Sequence, residues 1–334
     1  MIIKIKTGNT WLQNLVIAAD PVETEEKPNI MASDVIDITA DPYGADNRDK
    51  SDVSDIIQAA MDELSEAGGG TVYFPACVYK FVYLYPKSNV TLYLDEGAVL
   101  RGDSDWNHYE WWNTGTMQGP QNIQIIGDVQ NFSIKGRGMI DANSTVLVKP
   151  YNNGKIDGNS PRRKGIIASW ADEEGNKPGN IILEGITVKD GTTWTINLKD
   201  SEGVTIQNVK LLNNDSWVHS DGYDICSCSD VLVDQCLGYT GDDVFCLKGN
   251  TEGYVMQNIT FSNGVAYAEG GAGCKVGVQS VAGAENVSFE NIDVVYGYRG
   301  FSISHDEGTA AWSDISFTDI RTEKIYVNST SGQY

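Results

Sequence analysis

The chain is short of proline, of basic side chains and of long apolar runs, and each shortage excludes something. Of 334 residues only 9 are proline while 35 are glycine, a ratio that suits many tight corners and not long helices. Lys and Arg number 24 against 46 Asp and Glu, a net charge of −22. Such a surface repels polyphosphate at long range, so nucleic acid is excluded as a partner, although a local basic pocket could still take an anionic ligand. The longest early apolar run, Leu15-Val16-Ile17-Ala18-Ala19, is far too short to span a bilayer, and no membrane partner is expected. It is also too short for a signal-peptide core, and no small-residue cleavage site follows it. Neither Gly68-Gly69-Gly70 nor Gly271-Ala272-Gly273 has the strand, glycine spacing and lysine of a phosphate loop. Five of the six cysteines (Cys226, Cys228, Cys236, Cys246, Cys274) lie in apolar, strand-like surroundings and read as buried, reduced, space-filling thiols. Cys226-Ser227-Cys228 lacks the two-residue spacer of a zinc pair, and no cofactor is expected.

What the chain has is a repeat. The triplets Val204-Thr205-Ile206, Val231-Leu232-Val233, Ile259-Thr260-Phe261, Val287-Ser288-Phe289 and Ile315-Ser316-Phe317 begin 27, 28, 28 and 28 residues apart, each after a polar residue or glycine. Each alternates in and out, as a strand with one buried face does. A period of this length without helical pattern or four-strand blades predicts an all-β solenoid, a single-stranded right-handed parallel β-helix. Val90–Leu94, Ile123–Ile126, Phe132–Ile134 and Ile181–Leu183 read as less regular coils of the same kind. The segment from about Val148 to Lys164 reads as a long loop over one face.

One helix is predicted, over Asp52–Ala67. Ser51 would be its N-cap, Val53, Ile56, Ile57, Ala60, Met61 and Leu64 its apolar stripe, and Gly68-Gly69-Gly70 its stop. It is the natural lid for the open end of the solenoid. The organisation expected is therefore a leader over residues 1–34, its acidic stretch Glu23–Glu26 solvated, and one β-helix domain over 35–334. The last coil ends at Tyr334 without an evident cap, so further C-terminal coils are expected.

Chemistry concentrates in two stretches, His219-Ser220-Asp221-Gly222-Tyr223-Asp224-Ile225 and Thr240-Gly241-Asp242-Asp243-Val244-Phe245-Cys246-Leu247-Lys248. Asp221 and Asp243 are 22 residues apart and lead into equivalent strands, which stacked coils bring within about 4.8 Å of backbone spacing. Three carboxyl groups, Asp221, Asp242 and Asp243, then share one outer face, and at least one pKa must rise. A protonated acid beside an ionised base is the requirement of glycoside hydrolysis. An acidic turn or a calcium site fits the same spacing.

These stretches, with Gly136-Arg137-Gly138-Met139-Ile140-Asp141 and Trp194-Thr195-Ile196, resemble glycoside hydrolase family 28, the polygalacturonase-like β-helix enzymes, from about Ile38 to Ile325. The resemblance implies a pectin-lyase-like solenoid and a hydrolase acting on a polysaccharide or oligosaccharide with inversion and without metal. Asp242 would be the general acid, and Asp221 and Asp243 would hold and deprotonate the water. It also implies secretion or a periplasmic location; the oligomeric state stays open, with a monomer favoured.

The departures from the family motifs are specific. His219-Ser220 replace Asn-Thr, Gly271-Ala272-Gly273 lacks the histidine of Gly-His-Gly, and Ser302 and Ser304 stand where Arg-Ile-Lys has its cations. Aligning Asp224, Cys246, Lys275 and Ser302 as one outward position on successive coils makes Lys275 the candidate replacement, either touching substrate or tuning a carboxylate; a structural salt bridge to Asp224 or Asp243 is the competing role. Lys248, Arg299, His219, Trp217 and His305 complete the candidate binding residues, Trp217 as a subsite wall and preferred over Trp194. The aromatic stretch Trp106–Trp112, with His108, reads either as a sugar-stacking loop or as packing. The rival functions are hydrolysis of a neutral α-glycan of the dextranase, isopullulanase or α-galactosidase type, a polysaccharide lyase, and a non-catalytic carbohydrate-binding β-helix.

Overall fold

In the computed structural model the described residues are 2–7, 10–21, 26–110, 119–148, 164–214 and 216–326. The 28-residue period is one turn of the solenoid. Val204 pairs in parallel with Val231, Val231 with Ile259, Ile259 with Val287 and Val287 with Ile315. The less regular stretches join the same stack, since Thr91 pairs with Ser133, Ser133 with Ile182 and Ile181 with Val204. From Val90–Leu94 to Leu237–Thr240 each strand has its parallel neighbour three strands on in the chain, and this register sorts the strands into three long ladders, here called sheets A, B and C. Sheet A runs from Val35–Asp37 to Ile315–Thr322 and contains all the triplets; sheet B includes Arg48–Asp52, Met139–Asp141 and Leu237–Thr240. Sheet C holds Gln121–Ile126, Gly165–Trp170, Ile196–Lys199, Tyr223–Cys226 and Phe245–Gly249. The long strands Val265–Ser280 and Gly283–Ile303 turn corners and so serve more than one sheet. The fold is the predicted right-handed parallel β-helix.

The local reason for the period lies at the corners. The residue just before each triplet has a left-handed backbone: Asn89, Asn131, Asn180, Gly203, Asp230, Asn258, Asn286 and Asp314 all have φ between 51° and 70°. Asn, Asp and Gly are the residues that adopt this conformation at least cost. Their side chains also bond from coil to coil, as Asn258 Nδ2 does to Asp230 Oδ1 (2.8 Å) and Asn286 Nδ2 to Asn258 Oδ1 (2.9 Å). Inside, equivalent side chains stack. Phe261, Phe289 and Phe317 lie face to face at 4.6 and 4.8 Å, close to the strand spacing.

Helix α1 (Ser54–Glu66) buries Ile57, Ala60, Met61 and Leu64 on the core, as its stripe predicts. It starts two residues later than expected and Ser51 is not its cap. Asp52 Oδ1 takes both the N–H and the hydroxyl of Ser54, Val53 occupies the N-cap position without a side-chain cap, and Ser51 N–H turns away to Asp46. At the other end Gly69 (φ 130°) returns its N–H to Leu64 O. In the leader, Ile2–Thr7 and Thr10–Val16 form a separate antiparallel pair. The six cysteines are free thiols and five are buried; Cys228, Cys236 and Cys274 fill the core, while Cys226 and Cys246 do not belong to that cluster. Residues 149–163 of the Val148–Lys164 loop, Trp111-Trp112, Glu23–Glu25 and the last eight residues lie outside the described residues.

Candidate active site

Sheet C carries the acids. Tyr223 pairs with Phe245, so the turns that precede the two strands lie side by side, and Gly222 N–H donates to Asp243 O at 2.9 Å. Ser220 bolts these turns together: its hydroxyl donates to Trp217 O (2.7 Å) and accepts from Gly241 N–H (3.0 Å). The approach leaves no room for side chains at two places. A Cβ on Gly241 would lie 2.2 Å from Trp217 O, and one on Gly271 would lie 2.3 Å from Asp243 N.

Two main-chain donors hold Asp242. Its Oδ2 accepts His219 N–H and its Oδ1 accepts Asp243 N–H, both at 2.9 Å. Burial, then the charges of Asp221 and Asp243, push its pKa well above the ordinary carboxylate range, against the pull of the His219 N–H. Asp243 Oδ1 accepts Ala272 N–H at 2.6 Å; burial and Asp221 raise its pKa, while Lys275 and Lys248 oppose the rise.

Asp221, 3% exposed, is bound differently. Its Oδ2 lies 2.7 Å from Lys248 Nζ, and the same ammonium lies 2.6 Å from Oδ1 of Asp224, a fully buried carboxyl. The ring of Trp194 caps this ammonium at 3.5 Å from its centroid. Burial pushes Asp224 up to about 8, helped by Asp221 and Asp243 and resisted by Lys248. Burial works against the charge of Lys248, but the two carboxylates outweigh it and hold its pKa above the usual lysine value. Asp221, Asp224 and Cys246 each bring a potential ligand atom within 4.8 Å of the others, yet the cation already among them is Lys248.

The outward ladder Asp224–Cys246–Lys275–Ser302 is in register as the alignment required. Lys275, 7% exposed, donates to Ser304 Oγ at 3.2 Å, so its ammonium stands beside the second of the two serines that replace the family cations. Arg299 is half-buried, pairs with Ala272 one coil beyond Asp243, and lies 4.9 Å from the ring of Tyr298. His219 is exposed with φ 64°. His305 is exposed and follows Ser304, its Nε2 2.8 Å from Ala310 O and its ring against Trp312. Trp217 is not a cleft wall: its side chain is 1% exposed and packs on Val148. His108 Nδ1 lies 3.3 Å from Asp103, and Trp106 packs on the Val82–Tyr109–Leu147 cluster.

Sequence reasoning missed the joint role of Asp224, Lys248 and Trp194. The signal was present in the register, because Cys226 opposes Lys248 two residues after Asp224 opposes Cys246. Alternation along that strand puts Lys248 on the same outer face as the acids.

A parallel β-helix with a carboxyl cluster on one outer sheet defines the class, and sequence comparison supplies the family. Residues 94–330 match the profile of Glycosyl hydrolases family 28, and the chain belongs to that family. A probable polygalacturonase of Arabidopsis thaliana is 25% identical over 215 residues, 62% of this chain and 46% of its own length. A polygalacturonase of Gossypium hirsutum is 23% identical over 303 residues, 88% of this chain and 68% of its own length. The chain spans about half the length of the first curated relatives it matches. Among solved structures, the exopolygalacturonase of Thermotoga maritima superimposes with a TM-score of 0.62 at 17% identity, covering 88% of this chain and 77% of its own. The polygalacturonase of Erwinia carotovora gives 0.61 at 18% identity, covering 91% and 90%. At these identities the structural likeness speaks to the fold.

Proposed function

We propose that the chain hydrolyses glycosidic bonds in a galacturonate-containing polysaccharide, with inversion of configuration. The observation that carries this reading is the unequal setting of three adjacent aspartates. Asp242 has two carboxylate neighbours, no cation in contact among the described residues and a raised pKa, so it retains a proton and serves as the acid for the leaving oxygen. Asp221 is paired with Lys248 and serves with Asp243 as the base that orients and deprotonates water. A carboxyl kept protonated beside one paired with a cation is a working arrangement for a glycosidase. Lys275 and Arg299 are the cations on the adjacent coils that a uronate carboxylate would meet. Relatives named as polygalacturonases support the same substrate class, and a polymer of that kind places the reaction outside the cytoplasm.

A neutral glycan is the second reading. It is favoured by Ala272, Ser302 and Ser304, which stand where the family motifs carry histidine, arginine and lysine. A reducing-end assay on polygalacturonan, rhamnogalacturonan, dextran, pullulan and α-galactans, for wild type and Asp242→Asn, separates the two. Turnover of the uronate polymers, lost in Asp242→Asn, is expected, with the first product anomer of inverted configuration by proton NMR. Turnover confined to dextran or pullulan would transfer the chemistry to a neutral substrate, and a retained anomer would overturn the mechanism.

A further inference from the structure

We infer that Lys248 is a positioning residue for the reaction proposed above: with Asp224 as its second anchor it fixes Asp221 in orientation and supplies the positive charge that faces it. The inference rests on that reading of the function. It begins from a lysine in an expensive place. Lys248 is 4% exposed, on the outer face of sheet C, and a buried ammonium is tolerated only when its charge is met. Here three groups meet it: Asp221 Oδ2 at 2.7 Å, Asp224 Oδ1 at 2.6 Å and the Trp194 ring at 3.5 Å. The contact is one-sided: among the described residues, the donors to Asp242 are the main-chain N–H groups of His219 and Asp243.

Four carboxyl groups, Asp221, Asp224, Asp242 and Asp243, face two ammonium groups, Lys248 and Lys275; Cys226 and Cys246 are the other titratable groups turned toward Lys248. Like charges this close cannot all ionise, and the place of each cation decides which stay charged. Lys275 serves Asp243 and Lys248 serves Asp221 and Asp224. Asp224, the arm with no exposure, has its pKa raised by burial and by Asp221 and Asp243, and Lys248 opposes that rise. Asp221 Oδ1 and both oxygens of Asp224 are buried without a hydrogen-bond partner among the described residues, so Lys248 sets the pose of both, through a hydrogen bond to Asp221 Oδ2 and an ion pair with Asp224 Oδ1.

The test is a pH–rate profile joined to a direct titration. In Lys248→Met the acidic limb of kcat/KM should move up by about one pH unit or more, and kcat should fall about 10–100-fold with KM nearly unchanged. Lys248→Arg should recover part of both. Asp224→Asn removes a competing carboxyl and should move the same limb the other way. The direct titration uses carbon-13 NMR of protein labelled at the aspartate carboxyl carbons. The signal absent in Asp221→Asn should titrate at higher pH in Lys248→Met than in wild type. If the wild type turns over no glycan while that signal moves, the functional reading fails and the clamp stands. If Lys248→Met is folded by circular dichroism and neither the signal nor the limb moves, the inference is overturned. Should Lys248→Met not fold, an unmoved signal in Asp224→Asn overturns it equally.

Discussion

The main-chain N–H of His219 donates to Oδ2 of Asp242 at 2.9 Å, from a residue whose φ is 64°. The Asp242 carboxyl, the acid of the proposed reaction, is thus tied to backbone in the left-handed region. His219→Gly keeps both the N–H and the conformation, so its Tm and kcat should stay close to wild type, with any loss confined to KM. His219→Val places a β-branched residue in the left-handed region, at a cost of about 1–2 kcal/mol. It should lower Tm and also kcat, because the N–H moves off the carboxyl. Thermal melts and kinetics of both variants check this; equal kcat losses would mean that the imidazole itself acts.

Activity should depend on pH as a bell displaced toward neutrality. It rises as Asp243 loses its proton, and burial beside Asp221 sets that step above the ordinary carboxylate range. It falls as Asp242 loses its proton, a step raised further by burial and by both neighbours. Lys275 lowers the pKa of Asp243. Lys275→Met should therefore move the acidic limb upward, and it should also raise KM on polygalacturonan if the ammonium meets a uronate. A changed limb with unchanged KM would confine Lys275 to tuning the base.

The β-helix was legible because its period is carried by the chain at the surface of each coil. Asn258, Asn286 and Asp314 recur before triplets 28 residues apart, and corner geometry and core stacking both require that recurrence. Asp221, Asp242 and Asp243 were legible for the same reason, since register follows from the repeat. Trp217 and Ser51 were misread because their fate depends on one contact each: Trp217 packs on Val148, and Asp52 captures Ser54 before Ser51 can cap the helix. The partner of Lys248 needed three dimensions. Asp221 and Asp224 are more than twenty residues away in the chain, and only stacking turns that separation into contact.

Stability should be spent at the site. Asp242, Asp243 and Asp224 all have folded-state pKa values above those of an unfolded chain, so the folded protein binds more protons than the unfolded one. Their contribution is then fully present below the unfolded carboxylate value of about 4 and is lost as pH rises through the folded values, about 8 for Asp224. Asp242→Asn keeps the shape of the carboxyl without its charge. It should melt higher than wild type at pH 8, by an amount on the order of one to a few kcal/mol, and the difference should shrink toward pH 4. A variant that is equally stable across this range would show that Asp242 is not strained by its neighbours.

The corner ladder should obey the rule that left-handed backbone imposes. Asn258 has φ 57°, is exposed, donates to Asp230 and accepts from Asn286. Asn258→Gly gives up two side-chain bonds but meets no backbone strain, so a loss of about 1 kcal/mol or less is expected. Asn258→Val loses the same bonds and adds the cost of a β-branched residue at positive φ, for a total of about 2 kcal/mol or more. Because the residue faces solvent, the difference between the two variants isolates the backbone term from any change in core packing. Urea unfolding of both, with equal m-values, checks it. A valine variant as stable as the glycine one would mean that the corner can relax out of the left-handed region, and that the side-chain ladder alone keeps the coils in register.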